Sequence, residues 1–548
     1  MARLSRSSLW LLFAVLLIAR GVQFWAAPPF SPDSWSYWEL AQTVGHEFYR
    51  IHTWRQFQFE APYGVSFPPL WPIMIAAADN VLGLGYRSAI ALNMLIATLT
   101  AVALQGFCAR FASRTADASD ASSSVVAANL GLLIACALLA HRSYCEELFA
   151  GRSMPLSLLL FIALLWQLHS AARVQPVASV SGIPAPLPRL GRAVLLATTV
   201  ALATLNRFDF LPALLVLSAL VPVLLLREQN LHNSRDRVQA TALTCAVWWA
   251  VVLIWLAPWA VYGLGHFGTA FVSDNSRTVL AAVATHVDDY YTEPLPTLFD
   301  AFALWAAKTM QGALAVAAAL VRPMTVNLLL LVLFVAALAC VRSQWKRGAH
   351  IDLWGPRHVW LYADLAIAAQ LSSVLIAGFA SIRYALSLEA YLLVRVTLLL
   401  AGSSASVPAR LMPYAVTAVL LQCLLLVVPS TRPWLNPVRE EVDLHAYAAM
   451  AECLRSTEGA RVLFLTNNNE HAYRFGALDG VDTLGTPHNY RSAPLSTLVR
   501  QFGVTHVFDE LEHLTQADIH LLLRAILQPQ CDLPGLFRVR LLESPINR

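Results

Sequence analysis

The chain has 548 residues, of which 57% are hydrophobic and 13% charged, and its mean hydropathy is +0.56. A soluble domain carries about 25% charged residues, so the composition excludes an ordinary soluble globular protein. The formal charge of +4 says little by itself, because in membrane proteins the placement of Arg and Lys carries the information; no nucleic-acid partner is expected.

Apolar runs of about 17–25 residues, each long enough to cross a hydrocarbon layer about 30 Å thick, recur from residue 8 to 429. They predict a polytopic α-helical membrane protein. The first run, 8–25, follows Arg3 and Arg6 and has no small-residue cleavage site behind a short apolar core, so it reads as a retained span rather than a signal peptide. Eleven spans are predicted, near 8–27, 88–108, 124–140, 154–170, 193–206, 209–226, 239–262, 324–341, 358–380, 385–400 and 411–429.

The basic residues fix the sidedness. With a cytoplasmic N-terminus, fifteen Arg and Lys (Arg3, Arg6, Arg110, Arg114, Arg173, Arg189, Arg192, Arg227, Arg235, Arg237, Arg342, Lys346, Arg347, Arg357 and Arg410) fall inside, against Arg142, Arg152, Arg207 and Arg383 in the short outer loops. The apolar run 67–84 carries Pro68, Pro69, Pro72, Asp79 and Asn80. As a full span it would move Arg110 and Arg114 outside, so it reads as a re-entrant or juxtamembrane helix. Two outer loops are then long, 28–87 and roughly 263–323. The first is rich in aromatics (Trp35, Trp38, Tyr49, Trp54 and Tyr63), as expected of a chain lying along the headgroups. The inner loop 171–192, with four prolines, reads as a linker.

After Pro429 the chain becomes charged and alternates helix-like with strand-like segments. Helices are predicted near 443–456, 494–502 and 515–527, and strands at 461–466, 504–510 and 537–543. This divides the protein into a membrane domain, 1–429, and a small α/β domain, 430–548. An odd number of spans places the second outside the cytoplasm. Cys108, Cys136, Cys245, Cys340 and Cys423 lie in or beside apolar runs and read as packing residues. Whether Cys453 and Cys531 pair is left open. No metal-type Cys or His spacing occurs.

Four outer-face groups invite chemistry. Ser31-Pro32-Asp33 reads as a helix start, with Ser31 as N-cap and Pro32 at the first helical position. Trp35, Trp38 and Ala41 then share a face suited to the bilayer surface. Asp33 either complements the helix dipole, or is a carboxylate of raised pKa at a partly dehydrated surface that accepts a proton from a hydroxyl. Glu146 and Glu147, flanked by Arg142 and Arg152, form either a second acidic site or a solvated loop with self-paired charges. Arg207 and Asp209 interrupt a long apolar segment, either functionally or as an outer turn holding an ion pair. Arg383-Tyr384, and more weakly Lys308, offer outer basic groups; the Arg fork suits a phosphate, and the alternative for Arg383 is snorkelling to the headgroups. The stretch "GLGHFG", 263–268, matches a dinucleotide-binding fingerprint in letters only, because it follows a membrane helix and opens no βαβ unit.

Several motifs together resemble the GT-C class of membrane glycosyltransferases, in the branch of the protein O-mannosyltransferases and lipid A aminoarabinose transferases. They are "PDSWSYWELA" (32–41), "FPPLWPIMIAA" (67–77), "CEELFAGRSMPLSLLLFIALL" (145–165), "ATLNRFDFLPALLVL" (203–217), "APWAVYGLGHFG" (257–268) and "RYALSLEAYLLV" (383–394). The resemblance covers nearly the whole chain. It implies transfer of a sugar from a polyprenyl-phosphate donor to an extracytoplasmic glycolipid, glycan or protein, with inversion at the anomeric carbon, in the plasma membrane or a bacterial inner membrane. Asp33 would be the general base, and Glu146 or Glu147 the second-loop acid, although the family's usual Asp is absent there. Arg207, Arg383, Tyr384 and Lys308 would lie near the carrier phosphate. No cofactor is demanded; the three acids could hold a divalent cation, but no spacing requires one. The rival readings are a transporter or flippase of lipid-linked glycans, and a non-catalytic relative.

Overall fold

The computed structural model describes residues 5–26, 32–44, 67–115, 121–171, 187–227, 234–267, 327–346, 359–377, 382–403 and 406–427 of the helical part. It also describes short helical pieces within 306–318, and in the C-terminal part 449–450, 452–454, 459–465, 482–485, 499–500, 503–509, 525–531 and 536–541. Of the predicted linker 171–192, residues 172–186 lie outside the described residues, as do Lys308 and most of the second long outer loop, whereas 187–192 are not linker but the first turns of the helix Leu187–Asn206.

Each of the eleven predicted segments is helical over its described residues. In chain order the helices are α1 (Arg6–Ala26), α2 (Pro32–Thr43), α3 (Leu70–Leu82), α4 (Arg87–Thr115), α5 (Ala121–Leu139), α6 (Arg142–Phe149), α7 (Met154–Ala171) and α8 (Leu187–Asn206). A 3-10 turn, Phe208–Phe210, leads to α9 (Leu211–Arg227), α10 (Ser234–Phe267), α11 (Leu328–Lys346), α12 (Val359–Ala377), α13 (Ile382–Ser403) and α14 (Ser406–Val427). By length and apolarity alone, the stretches Arg87–Phe111 and Val238–Gly265 are long enough to cross a membrane. The pair Ser124–Leu139 and Arg142–Phe149 is a third candidate, broken by a bend of 74°.

Helix α3 has 13 residues, about 20 Å of rise against about 30 Å of hydrocarbon. It buries Trp71, Pro72 and Ile75 and exposes Ile73, Val81 and Leu82, as the juxtamembrane reading requires. Two segments depart from the sequence reading. Residues 309–314 and 316–318, placed in the second long outer loop, are helical; at Gly312 the backbone approaches Leu375 so closely that a Cβ would sit 2.8 Å from its carbonyl oxygen. Helix α2 does not present Ala41 to lipid. Ser34, Ser36, Tyr37, Leu40 and Ala41 are all buried, and the Tyr37 ring meets Phe67 edge-on at 4.8 Å, so α2 is a packed element. The cause is the pairing of α2 with α3 over a shared apolar seam.

Helix α1 is built into the bundle, with Leu9, Phe13 and Leu17 buried. Contact between α4 and α5 is unusually close. A Cβ on Gly131 would lie 2.6 Å from the Leu104 carbonyl oxygen, with backbone that cannot yield. Close backbone approach through a small residue is a favoured way to pack helices in a bilayer. Gly131→Ala is therefore expected to cost about 1–3 kcal/mol by overpacking, read as a lower unfolding temperature in detergent. Gly191→Ala in α8, where the added Cβ meets nothing within 4 Å, should be neutral or slightly stabilising.

The C-terminal part forms a five-stranded mixed sheet: β1 (Arg461–Leu465), β2 (Asp482–Gly485), β3 (His506–Asp509), β4 (Ala525–Pro529) and β5 (Leu536–Leu541), in the order β2-β1-β3-β5-β4. β1 pairs parallel with β2 and β3, and β5 pairs antiparallel with β3 and β4. The three predicted strands are present. β2 is unpredicted because "DTLG" has neither alternation nor β-branched enrichment. Residues 525–527, predicted as the end of a helix, begin β4 instead, since pairing with β5 outweighs the weak local preference of "AILQ". Cys453 and Cys531 form a disulfide.

Candidate active site

Polar side chains sort to the two ends of the bundle. At one end Arg6 donates to Gln105 at 2.9 Å, the Arg110 guanidinium lies over Trp166, and His169 meets Phe107 and Phe111. This is the end that the arginine count assigns to the cytoplasm. The outer-face candidates with described side chains, Glu146, Glu147, Arg207 and Asp209, lie at the other end, in or next to α6 and the turn that closes it.

Helix α6 ends at Gly151, whose φ of 68° is left-handed, a conformation that glycine adopts without the cost of a Cβ. Three elements grip backbone carbonyls just there, and a fourth holds the Ser153 side chain. The Trp71 indole N–H, from α3, donates to the Gly151 carbonyl at 2.8 Å. The Asn93 amide, from α4, donates to the carbonyls of Leu148 and Arg152, each at 3.0 Å. The Asn206 amide, at the end of α8, donates to the Ser153 carbonyl at 3.0 Å and the Ser157 hydroxyl at 2.7 Å. From α2, the Tyr37 hydroxyl is hydrogen-bonded to the Ser153 hydroxyl at 3.0 Å. The Leu148 carbonyl, one of those left over at the helix C-terminus, and three carbonyls of the turn after it thereby gain side-chain donors. Trp71→Phe keeps the ring and removes the N–H. It should cost about 1–3 kcal/mol by leaving a buried carbonyl unpaired, measured by thermal unfolding.

Within this frame Asp33 occupies the first turn of α2, one helical turn before Tyr37, or about 6 Å of rise. The helix start at Pro32 agrees with the sequence reading; Ser31 lies outside the described residues, and the Asp33 side chain is not described. Tyr37 anchors that turn to the α6 loop. The acidic pair separates. Glu146 is about one-third exposed and is bonded by Arg142 at 2.9 Å, one turn back. Glu147 is 3% exposed and is held by Arg152 at 2.6 Å. The charges are self-paired, as one reading of the sequence had it, but the loop is a buried helix and not a solvated one. Of the two acids, Glu147 is the buried one, and its partner Arg152 precedes the Ser153 that meets Tyr37.

Arg207 and Asp209 form a turn pair: Nε approaches both carboxylate oxygens at 3.2 Å and a terminal nitrogen reaches Oδ2 at 3.1 Å. The pair is half-buried, beside Phe208 and Trp259, whose rings are 6.0 Å apart. Because Asn206 is bonded to Ser153, Arg207 and Arg152 flank one contact between α8 and the α6 turn. Arg383 and Tyr384 lie in the first turn of α13; their side chains are not described. Among the described residues no group of three or more His, Cys, Asp or Glu could hold a metal ion.

Sequence reasoning missed the second support of α6. His141, which precedes the helix, puts Nε2 3.4 Å from the Glu389 carboxylate of α13, and both side chains are 1% exposed. The Asn327 amide donates to Glu389 Oε1 at 2.5 Å. Asn327 also caps α11, its Oδ1 accepting the Leu330 N–H at 3.1 Å, and the Leu328 N–H donates to Gln422 of α14 at 3.1 Å. The available signal was Glu389 itself, an acid within an otherwise apolar run. Asn93 and Asn206 carried a weaker form of it.

No known protein-family model matches the chain, and no curated protein does. Solved structures do. The archaeal oligosaccharyltransferase AglB from Archaeoglobus fulgidus, in complex with an inhibitory peptide and a dolichol-phosphate, aligns with a TM-score of 0.51 at 13% identity, over 99% of this chain and 76% of that one. ArnT from Cupriavidus metallidurans, bound to undecaprenyl phosphate, aligns with a TM-score of 0.47 at 15% identity, over 98% of this chain and 99% of that one. At such identities the AglB likeness speaks for the fold alone.

Proposed function

The chain has the fold of a GT-C membrane glycosyltransferase, and from that premise we propose that it transfers a sugar from a polyprenyl-phosphate carrier to an acceptor on the extracytoplasmic side. The observation that carries the reading is the convergence of the Asp33 helix and the Glu147–Arg152 loop, through Tyr37 and Ser153, at one end of the bundle. A lipid-linked donor is met at the membrane edge, so a site for it belongs at a bundle end and not at the midplane.

Asp33 accepts the proton of an acceptor hydroxyl, whose oxygen attacks the anomeric carbon as the bond to the carrier phosphate breaks. The sugar is transferred with inversion. Polyprenyl phosphate leaves with the negative charge that Arg383, Tyr384, Arg207 and Lys308 receive. Glu147, bound to Arg152, shapes the acceptor side of the site. No metal is assigned a step.

The outer placement of this end rests on the arginine distribution. The Cys453–Cys531 disulfide supports it independently for residues 430–548, the proposed extracytoplasmic domain, because disulfides persist in oxidising compartments. Eleven crossings, with an inner N-terminus and an outer C-terminus, is the topology proposed. Cells that lack the chain should lose one class of surface glycan, glycolipid or glycoprotein by mass spectrometry and accumulate the polyprenyl-phosphate sugar. An unchanged surface with no accumulated donor would refute the proposal.

A further inference from the structure

We infer that His141 and Glu389 are positioning residues that hold the acidic loop helix α6 in register with α13, so that the Glu147–Arg152 turn and the first turn of α13 act as one rigid unit. The inference rests on the proposed glycosyl transfer for its catalytic meaning, but its structural content stands on geometry. Two groups able to carry opposite charges, each 1% exposed, lie 3.4 Å apart in an apolar bundle. Taking such groups out of water is costly unless the pair is well placed and its remaining atoms are satisfied. Here the Asn327 amide supports one carboxylate oxygen, Oε1, the other facing His141, and Gln422 ties the next residue of the same cap to α14. The result is a continuous polar line from α14 through α11 and α13 to the start of α6.

Its position explains its use. His141 precedes α6, and the far end of that eight-residue helix is the Gly151–Ser153 turn gripped by α2, α3, α4 and α8. Glu389 lies six residues beyond Arg383, about 9 Å along α13. Helix α6 is thus pinned at one end to the helix that carries the proposed phosphate ligands and at the other to the helix that carries Asp33. A shift of about 1 Å between such groups can cost about a hundredfold in rate.

The test compares Glu389→Leu, which removes the pair, with Glu389→Gln, which keeps the shape, still accepts from Asn327 and turns an amide N–H toward the neutral His141 ring. Hydrogen exchange of the purified full chain should show residues 142–153 exchanging roughly tenfold faster in Glu389→Leu, with α5 and α7 unchanged and Glu389→Gln close to the parent. Per folded molecule, kcat should fall roughly tenfold to a hundredfold while KM for the polyprenyl-phosphate sugar holds, and Gln should restore it. If Glu389→Leu does not fold, His141→Gln takes its place in both measurements. Unaltered exchange at 142–153, or loss spread evenly through the bundle, would overturn the positioning role. Absence of any donor turnover by the parent chain would instead sink the glycosyl-transfer reading and leave the exchange result to decide this one.

Discussion

Asp33→Asn is expected to reduce sugar transfer by at least about a hundredfold, in line with the 10²–10⁴-fold that a positioned general base contributes, while the protein stays folded. Asparagine has nearly the same shape as aspartate and is tolerated at a helix start. The stability change should therefore be confined to the loss of a charge at the α2 N-terminus, about 0.3–1 kcal/mol. The two readings of this residue separate cleanly. A dipole partner would show that small stability change with full turnover; a base shows the same small stability change with turnover lost. Release of polyprenyl phosphate per folded molecule, measured beside the unfolding temperature, distinguishes them. Full turnover by Asp33→Asn would remove this carboxylate from the mechanism.

The second large effect is expected at Glu147. Its carboxylate is 3% exposed and 2.6 Å from an Arg152 nitrogen, whose side chain is 18% exposed, so Glu147→Leu removes a close ion pair from one side. Breaking a buried pair from one side costs about 3–5 kcal/mol, whereas replacing both members with apolar residues is often near neutral. Glu147→Leu alone should thus lower the unfolding temperature sharply, and Glu147→Leu with Arg152→Leu should recover most of the loss. Glu146→Leu, at a pair whose acid is about one-third exposed, should cost less, about 1 kcal/mol. Equal effects at Glu146 and Glu147 would contradict the difference in burial that singles out Glu147. Activity adds a further distinction: the recovered double variant should be stable yet slow if Glu147 shapes the acceptor side.

Much of this architecture was legible from hydropathy because a bilayer demands long apolar helices and punishes interruptions. Every predicted span is helical over its described residues, while the sidedness read from the arginines stays part of the proposal. Helix α3 was legible for the same reason, from prolines and a parity conflict. What hydropathy could not supply was tertiary pairing. "HRSYCEELF" reads as a polar loop because its charges satisfy one another only in the fold, through Arg142–Glu146 and Arg152–Glu147. Ala41 looked lipid-facing because a neighbouring helix, α3, is invisible in a local pattern. The frame of the site, Trp71, Asn93, Asn206 and Tyr37, consists of single polar atoms on apolar helices whose targets are backbone carbonyls. No spacing encodes those targets. β2 was lost for a related reason, since a four-residue edge strand is stabilised by its register with β1 rather than by composition.

The central claim is that this chain breaks the bond between a sugar and a polyprenyl phosphate. The most direct measurement reconstitutes the purified chain in vesicles with a synthetic polyprenyl-phosphate sugar and a membrane-glycan acceptor mixture, without nucleotide, and quantifies free polyprenyl phosphate by mass spectrometry. The account predicts time-dependent release matched by sugar on the acceptor, and none with Asp33→Asn. Movement of the intact donor across the bilayer with no phosphate released would contradict it and identify a transporter.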